Sequence, residues 1–261
     1  MRRRKKQNVE MPLLEHLKEL RKVLLISAYA IAFGTIAGWA LSDQVYRFLA
    51  QPLLGLKEVH FITTTPMEPV LVKLKVSVVF GVLLSLPVVV WQIWSFILPA
   101  LKKNERKYLY FIVPWSILLF VGGAAFSFYY VLPVGMKFLL FAGGGAVEST
   151  PFVTKTSYLN FILTFILTFG LVFQLPIILL LLIRLGYLSP KTLAKNRKWA
   201  FFIIVVLAVI ISPTPDLLTQ LLMAGPMYLL YEISIWLGYM VVRRRQKELE
   251  KSERTGRGAV E

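Results

Sequence analysis

Two carboxylates in strongly basic surroundings are the side chains of this sequence best suited to recognise a cation. Glu19 follows Lys18 near the N-terminus, and Glu105 lies in the stretch 102–107, where cations flank it. A carboxylate can accept two parallel hydrogen bonds from a guanidinium group. Glu19 and Glu105 are therefore candidate ligands for an arginine-bearing partner, although the surrounding cations repel such a partner at long range. The alternative, that neighbouring lysines and arginines neutralise both acids, stays open.

The residues needed for metal, thiol or hydrolytic chemistry are missing from this sequence. It has no cysteine, and its two histidines are His16 and His60, which argues against disulfides and metal clusters. It contains no Gly-x-x-x-x-Gly-Lys-Ser/Thr phosphate loop, no His-Glu-x-x-His and no Gly-x-Ser-x-Gly. We therefore predict a protein that is not an enzyme and needs no cofactor or metal.

Gln174 and Glu232 are polar side chains inside long apolar runs. Polar groups at membrane depth are costly and usually face protein or a water-filled cavity, so Gln174 is a candidate for docking or gating. A structural hydrogen bond between helices is its alternative. Glu232 lies before the basic stop at 243–245, and pairing with a cytoplasmic Lys or Arg is the structural interpretation of this acid.

The runs that position these residues are long enough to cross a bilayer. Of the 261 residues, 57% are hydrophobic and 17% are charged, and a span needs roughly 20 mostly apolar residues. We predict an all-α integral membrane protein with six transmembrane helices at about residues 23–41, 76–101, 108–136, 156–183, 199–212 and 217–242. One transmembrane domain then covers 1–245, and 246–261 is a charged cytoplasmic tail, disordered or a frayed helix.

The distribution of positive charge predicts the orientation of these spans. Of the 30 Lys and Arg residues, 24 fall before the first span, in 102–107, in 184–198 or after Val242. Positive residues in short loops stay cytoplasmic, so both termini are predicted to be inside. Topogenic charge and attraction to anionic lipid head groups account for the net charge of +16 without nucleic acid.

Proline and glycine patterns predict how the spans are joined and packed. The outer connections 42–75 and 132–155 are long enough for a structured cap. Within the first, two prolines in 65–69 predict an ordered turn, and 212–216 predicts the turn of a final hairpin. Gly34 and Gly38 permit close helix approach, either inside the chain or in an oligomer.

Several motifs together resemble the TatC family of the twin-arginine protein translocation system over roughly residues 11–245. These motifs are His16-Leu17-x-Glu19-Leu20-Arg21, Gln51-Pro52-Leu53, Pro87 with Trp94-Ser95-Phe96, Pro99-Ala100-Leu101 with Glu105-Arg106, Phe169-Gly170 with Phe173 and Pro176, Ser212-Pro213-Thr214-Pro215-Asp216, and Pro226-Met227-Tyr228 with Glu232-Ile233. The resemblance implies a concave, glove-shaped bundle with two short final helices in the cytoplasmic (inner) membrane of a prokaryote. Membrane lipids are therefore among the expected partners.

The resemblance also implies a function and assigns residues to it. It implies a receptor that binds twin-arginine signal peptides of folded precursors and assembles, as a homo-oligomer, with single-span partners of the TatA and TatB type for export driven by the proton-motive force. The implied signal-peptide residues are Glu19, Leu20, Arg21, Phe96 and Glu105. The implied partner-docking residues are Gln174 and Pro176, and the implied structural residues of the outer side are Pro52, Glu68 and Asp216.

At one position the sequence departs from the family pattern. Many relatives carry an intramembrane Glu where this chain has Gln174, so a role that requires ionisation does not carry over, whereas hydrogen bonding does. Two other classes of function remain to be weighed. A secondary transporter of a small solute would show internal repeats or midplane ionisable sites, and a membrane-embedded enzyme would need paired acids, His-Asp or Ser-Lys within the spans.

Overall fold

The computed structural model describes residues 13–54, 60–97, 109–141 and 152–257. The chain forms two compact units: the first comprises 1–46 and 73–117, and the second comprises 47–72 and 118–261. The helices are α1 (Leu13–Leu54), α2 (Glu68–Ile97), α3 (Leu109–Phe126), α4 (Leu132–Phe141), α5 (Lys155–Val172), α6 (Leu175–Leu185), α7 (Pro190–Lys195), α8 (Arg197–Ile211) and α9 (Leu217–Arg257). Two short strands, β1 (His60–Ile62) and β2 (Phe152–Thr154), complete the described structure together with a π-helical turn at Ser127–Val131.

Five helical segments of the described residues are long and apolar enough to cross a membrane: Leu17–Leu53, Glu68–Ile97, Ile112–Phe141, Lys155–Leu185 and Leu217–Arg244. The remaining predicted span corresponds to α8, which has only 15 residues and would be about 22 Å long. Six crossings and cytoplasmic termini therefore stay predictions. Beyond the last span α9 continues to Arg257, because the tail is rich in Lys, Glu and Arg, which favour helix.

The first unit is built on close antiparallel packing of α1 and α2. A Cβ added to Gly34 would lie 2.6 Å from the carbonyl oxygen of Gly81, and one added to Gly38 would lie 2.6 Å from that of Ser77. Farther along the pair, Lys73 Nζ lies 3.7 Å from an Asp43 carboxylate oxygen. Gly34 and Gly38 therefore serve contact inside the chain, one of the two uses that their spacing predicted.

The second unit contains a small parallel sheet and a densely packed helix, α5. Strand β1 pairs with β2, with His60 opposite Phe152 and Ile62 opposite Thr154. The α5 side chains that are almost fully buried include Tyr158, Leu159, Ile162, Phe165 and Phe169. In the ordered turn at 65–69, the Glu68 N–H donates to the Thr65 carbonyl oxygen at 3.1 Å, and α2 begins there.

Two predicted spans are not regular helices throughout. The run 108–136 contains the π-helical turn at 127–131, and the run 156–183 is two helices, since α5 ends at Val172 and α6 begins at Leu175. The physical reason for the second break is Pro176, which stands in the first turn of α6 and has no N–H to continue the ladder of α5. The expectation of one continuous helix over 156–183 is therefore corrected.

A proline-rich turn joins α8 to α9, as predicted for 212–216. The Ser212 hydroxyl donates to the Thr214 carbonyl oxygen at 2.7 Å, and the Thr214 hydroxyl donates to Asp216 Oδ2 at 2.6 Å. Only Ile204 and Ala208 of α8 are buried. Because most of α8 is exposed and apolar, this helix depends on its contact with α9 and on the connections at its two ends.

Candidate functional site

Glu19 lies in the first unit on α1, about two turns after the start of the helix. Its side chain is half-buried, and its Oε2 atom is buried without a hydrogen-bond partner among the described residues. Leu20 beside it is half-buried, and Arg21 is exposed. A buried acceptor without a donor costs free energy, so a donor supplied by a ligand would satisfy Glu19 where the described residues do not.

The packing of α1 against α2 relates Glu19 to Phe96. Gly34 lies opposite Gly81 and Gly38 opposite Ser77, so each step along α1 corresponds to one step back along α2. Extrapolated over the 15 residues from Gly34 to Glu19, this register would put Phe96 at the level of Glu19, because both helices rise 1.5 Å per residue. Phe96 is half-buried, and at this level it would offer apolar surface beside the carboxylate.

Glu105, the other predicted guanidinium ligand, lies outside the described residues. The helices on either side of its segment are held together by a hydrogen bond that sequence reasoning missed: Trp94 Nε1 donates to Ser116 Oγ at 3.0 Å, and both side chains are buried. A sequence signal for this bond exists, because an indole N–H buried in an apolar helix needs an acceptor. Trp94 and Ser116 therefore position the ends of α2 and α3.

Gln174 occupies the break between α5 and α6 in the second unit. Its N–H donates to the Leu171 carbonyl oxygen at 3.0 Å, and its own carbonyl oxygen accepts from Ile178 N at 3.0 Å. The side chain is half-buried, Pro176 is buried, and Leu171 is exposed. The break therefore sets an amide next to an exposed apolar residue within the span Lys155–Leu185.

The acid of the last span has a structural partner. Arg197 Nη2 donates to Glu232 Oε2 at 2.9 Å, Arg197 Nε lies 2.8 Å from Oε1, and the Tyr228 hydroxyl donates to Oε1 at 2.9 Å. The predicted pairing of Glu232 with a Lys or Arg is confirmed, and the partner is Arg197.

Among the residues assigned to the outer side, Glu68 makes a bond between distant segments of the second unit. Glu68 is 2% exposed and accepts from Thr64 N at 2.7 Å and from Thr156 N at 2.9 Å, so it joins the segments that carry the two strands. Pro52 is half-buried in α1, one turn after Leu49, whose carbonyl oxygen accepts from the Tyr158 hydroxyl at 2.8 Å.

Asp216 caps the start of α9. Its Oδ1 accepts from Thr219 N at 2.7 Å, the pattern of a carboxylate at a helix N-terminus. Burial raises the pKa of Asp216, but the hydrogen bonds from the Thr214 side chain and from Thr219 outweigh burial, and the net pKa lies below its usual value of 3.8. The charged form is therefore favoured in the folded chain.

Comparison with known proteins identifies the family. Residues 15–226 match the family model for the Sec-independent protein translocase protein (TatC). The chain is 41% identical over 232 residues to TatC of Carboxydothermus hydrogenoformans, covering 88% of this chain and 94% of that protein. It is 40% identical over 243 residues to TatC of Aquifex aeolicus, covering 93% of this chain and 100% of that protein.

Solved structures agree with the sequence comparison. A crystal structure of the twin-arginine translocase receptor TatC superposes with a TM-score of 0.79 at 39% identity, covering 87% of this chain and all of that chain. A second structure, of the same receptor in the detergent DDM, has the same TM-score at 40% identity. The match confirms the predicted resemblance and decides against the solute-transporter and enzyme alternatives. The chain therefore belongs to the TatC family, and it is a non-enzymatic membrane component of the Sec-independent protein translocase.

Proposed function

We propose that this chain is the receptor and core component of a twin-arginine translocase, which binds the signal peptides of folded precursor proteins at the cytoplasmic face. The observation that carries the proposal is the buried Oε2 atom of Glu19, which lacks a donor among the described residues in a chain of the TatC family. A guanidinium group supplies donors and a compensating positive charge at once.

Each of the five signal-peptide residues has a role in this proposal. Glu19 and Glu105 accept hydrogen bonds from the two arginines of the signal, and Phe96 offers an apolar contact at the level of Glu19. Leu20 continues that apolar surface, and the exposed Arg21 adds to the cationic rim. The rim repels arginine-rich peptides that cannot reach the carboxylates, so recognition depends on short-range geometry.

Glu19→Gln tests this site, because glutamine keeps the size of the side chain and removes its charge. We expect crosslinking of a twin-arginine signal peptide to membranes with this variant to fall about tenfold, since a charge-assisted bond is worth roughly 1.5–3 kcal/mol. Glu105→Gln should have a similar effect. Asp43→Asn is the matched control, because it removes one acid from the same helix, and crosslinking should be unchanged.

A lysine-for-arginine signal peptide provides the second control and should crosslink poorly to every variant. The site assignment would be refuted if Glu19→Gln and Glu105→Gln both retained full crosslinking to the twin-arginine peptide.

We further propose that the break at Gln174 and Pro176 docks the transmembrane helix of a single-span partner of the TatA or TatB type, and that the assembled homo-oligomeric complex exports cargo using the proton-motive force. The exposed Leu171 beside the half-buried Gln174 supports an apolar helix that also carries a hydrogen-bonding side chain. In the same crosslinking assay, Gln174→Leu should impair partner-helix contacts more than signal binding. If signal binding fails first, Gln174 is structural.

A further inference from the structure

The connection from the end of α6 to the start of α8, residues 184–198, forms a basic collar at one end of the second unit. The collar contains no Asp or Glu. Its cations are Arg184, Lys191, Lys195, Arg197 and Lys198. Arg197 is already neutralised by Glu232, whereas Lys191, Lys195 and Lys198 are exposed and form no ion pair with any residue that the structure describes.

The backbone of the basic collar is held in place by α9. The Tyr231 hydroxyl donates to the Leu193 carbonyl oxygen at 2.9 Å, and Pro190 is buried against Gly238, where an added Cβ would lie 3.2 Å from Pro190 Cγ. The Ser189 hydroxyl caps α7 by accepting from Thr192 N at 3.1 Å. A ligand of the lysines would therefore meet an ordered platform and would not have to order the backbone on binding.

Two of the lysines share one side of α7. Lys191 and Lys195 are four residues apart in Pro190–Lys195, and residues at this spacing are neighbours on a helix surface. Lys198 follows in the first turn of α8. Like charges at this spacing repel each other, so an anion between them removes a repulsion that the free chain retains.

The apolar residues next to the collar define its depth. Trp199 is 68% exposed, and Phe201, Phe202 and Ile203 are exposed as well, as is Tyr187 within the collar, at 75%. Apolar side chains of this size and number favour contact with lipid hydrocarbon over contact with water, and Trp and Tyr favour the membrane–water interface. If α8 crosses as predicted, its rise of 1.5 Å per residue places Lys198, at its beginning, at the edge of the hydrocarbon and at the level of lipid head groups.

We propose that the basic collar binds the phosphate groups of anionic phospholipids through Lys191, Lys195 and Lys198. These three lysines have no ion-pair partner in the part of the chain that the structure describes, and hydrogen bonds to α9 and within α7 hold the backbone that carries them. A crossing of α8 would put them in the head-group layer, where a soluble acidic peptide would have to displace lipid. Bound lipid would hold the adjacent end of α8 at the surface of the bilayer. Such an anchor matters because α8 has only 15 residues, fewer than the roughly 20 that an average bilayer requires. The proposal does not depend on signal-peptide recognition.

Lipid titration of the purified full-length chain in detergent, followed by native mass spectrometry, tests the proposal. We expect wild-type protein to retain phosphatidylglycerol in preference to phosphatidylcholine. The double variant Lys191→Gln with Lys195→Gln should bind phosphatidylglycerol about 10- to 30-fold more weakly, since each basic residue near an anionic surface contributes about 1 kcal/mol. The double variant Lys191→Arg with Lys195→Arg keeps the charge and should bind like wild type.

The matched control removes two lysines that lie outside the collar, with Lys137→Gln and Lys155→Gln, and should leave phosphatidylglycerol binding unchanged. Equal loss in this control, or undiminished binding in the glutamine variant of the collar, would overturn the proposal. So would displacement of the lipid by inorganic phosphate or by a soluble acidic peptide at concentrations below that of the lipid. Unchanged thermal unfolding of the glutamine variant in lipid-free detergent would show that the loss is not one of folding.

Discussion

The acidic side chains that the structure describes differ in their partners, and Glu19 stands apart from three acids with well-defined partners. Glu68 accepts two backbone N–H bonds, Asp216 caps α9, and Glu232 is paired with Arg197 and Tyr228. Glu19 differs from all three because one of its oxygens is buried without a donor among the described residues. Buried polar atoms are usually satisfied, and this exception supports our proposal that Glu19 accepts hydrogen bonds from a ligand.

Asp216 makes a pH-dependent contribution to stability that can be isolated by substitution. Its folded-state pKa is below its usual value of 3.8, so the contribution is fully present above pH 3.8 and is lost as the pH falls through the folded-state pKa. Asp216→Asn keeps a good capping side chain and should lose this part of the acid sensitivity. Thermal unfolding in detergent between pH 5 and pH 2, compared with wild type, measures the difference.

Two further substitutions complete that test. Asp216→Ala removes the cap altogether and should cost about 1 kcal/mol at neutral pH, which lowers Tm by roughly 2–4 °C for a protein of this size. Asp43→Asn, at an exposed acid on α1, is the control. If it changed the acid sensitivity as much as Asp216→Asn does, the cap would not be the cause.

At the scale of helices, glycines allow neighbouring helices to approach closely in both units. In the first unit, α1 and α2 approach so closely that backbone of one helix occupies the space of a side chain on the other, at Gly34 and Gly81. In the second unit, a Cβ on Gly123 would lie 2.5 Å from the Phe169 carbonyl oxygen, so α3 packs directly against the final turn of α5. Contacts of this kind leave no room for a larger residue.

Gly34→Ala should destabilise the first unit, because its methyl group would lie 2.6 Å from the Gly81 carbonyl oxygen and the helices would have to separate. Overpacking of this kind costs about 1–3 kcal/mol. Gly122→Ala is the matched control, since nothing lies within 4 Å of its added Cβ and alanine favours helix over glycine. Thermal unfolding in detergent should show a lower midpoint for Gly34→Ala only, and equal midpoints would refute the close contact.

At the scale of the whole molecule, the short helix α8 decides whether the chain crosses the bilayer five or six times. Five segments of the described residues meet the length and composition of a span, whereas α8 has 15 residues, fewer than the roughly 20 that an average bilayer requires. A short helix can cross where the bilayer thins or where flanking residues reach the interface. The exposed apolar face of α8 and the basic collar at its beginning favour a crossing.

Single cysteines decide the topology, because the chain has none of its own. With six crossings, an impermeant maleimide added to intact cells should label His60→Cys and Thr214→Cys from outside, and should label Asn196→Cys only after the membrane is opened. Opposite labelling of Asn196→Cys and Thr214→Cys would establish that α8 crosses. If both were labelled from the same side, α8 would not cross and the last helix would run in the opposite direction.

Part of the fold and of the candidate site followed from sequence patterns. Uncharged runs predicted the long helices, and glycine spacing in the first span predicted a close helix contact without specifying its partner. The break at Phe173–Gln174 was missed, because the apolar run 156–183 is continuous in composition although Pro176 interrupts its hydrogen bonds. The Trp94–Ser116 bond was missed because its two residues belong to different helices.

By itself, the sequence determined the membrane class and the family of this protein. The membrane class follows because a lipid bilayer selects long helical segments without charge, and the family follows because its motifs are local stretches of sequence. Among the described residues, the tertiary structure decided that Glu19 keeps a buried oxygen without a donor, that Gly34 and Gly38 pack against α2, and that Glu232 pairs with Arg197. These depend on distances of a few ångströms between residues far apart in sequence, which hydrophobic patterns do not encode.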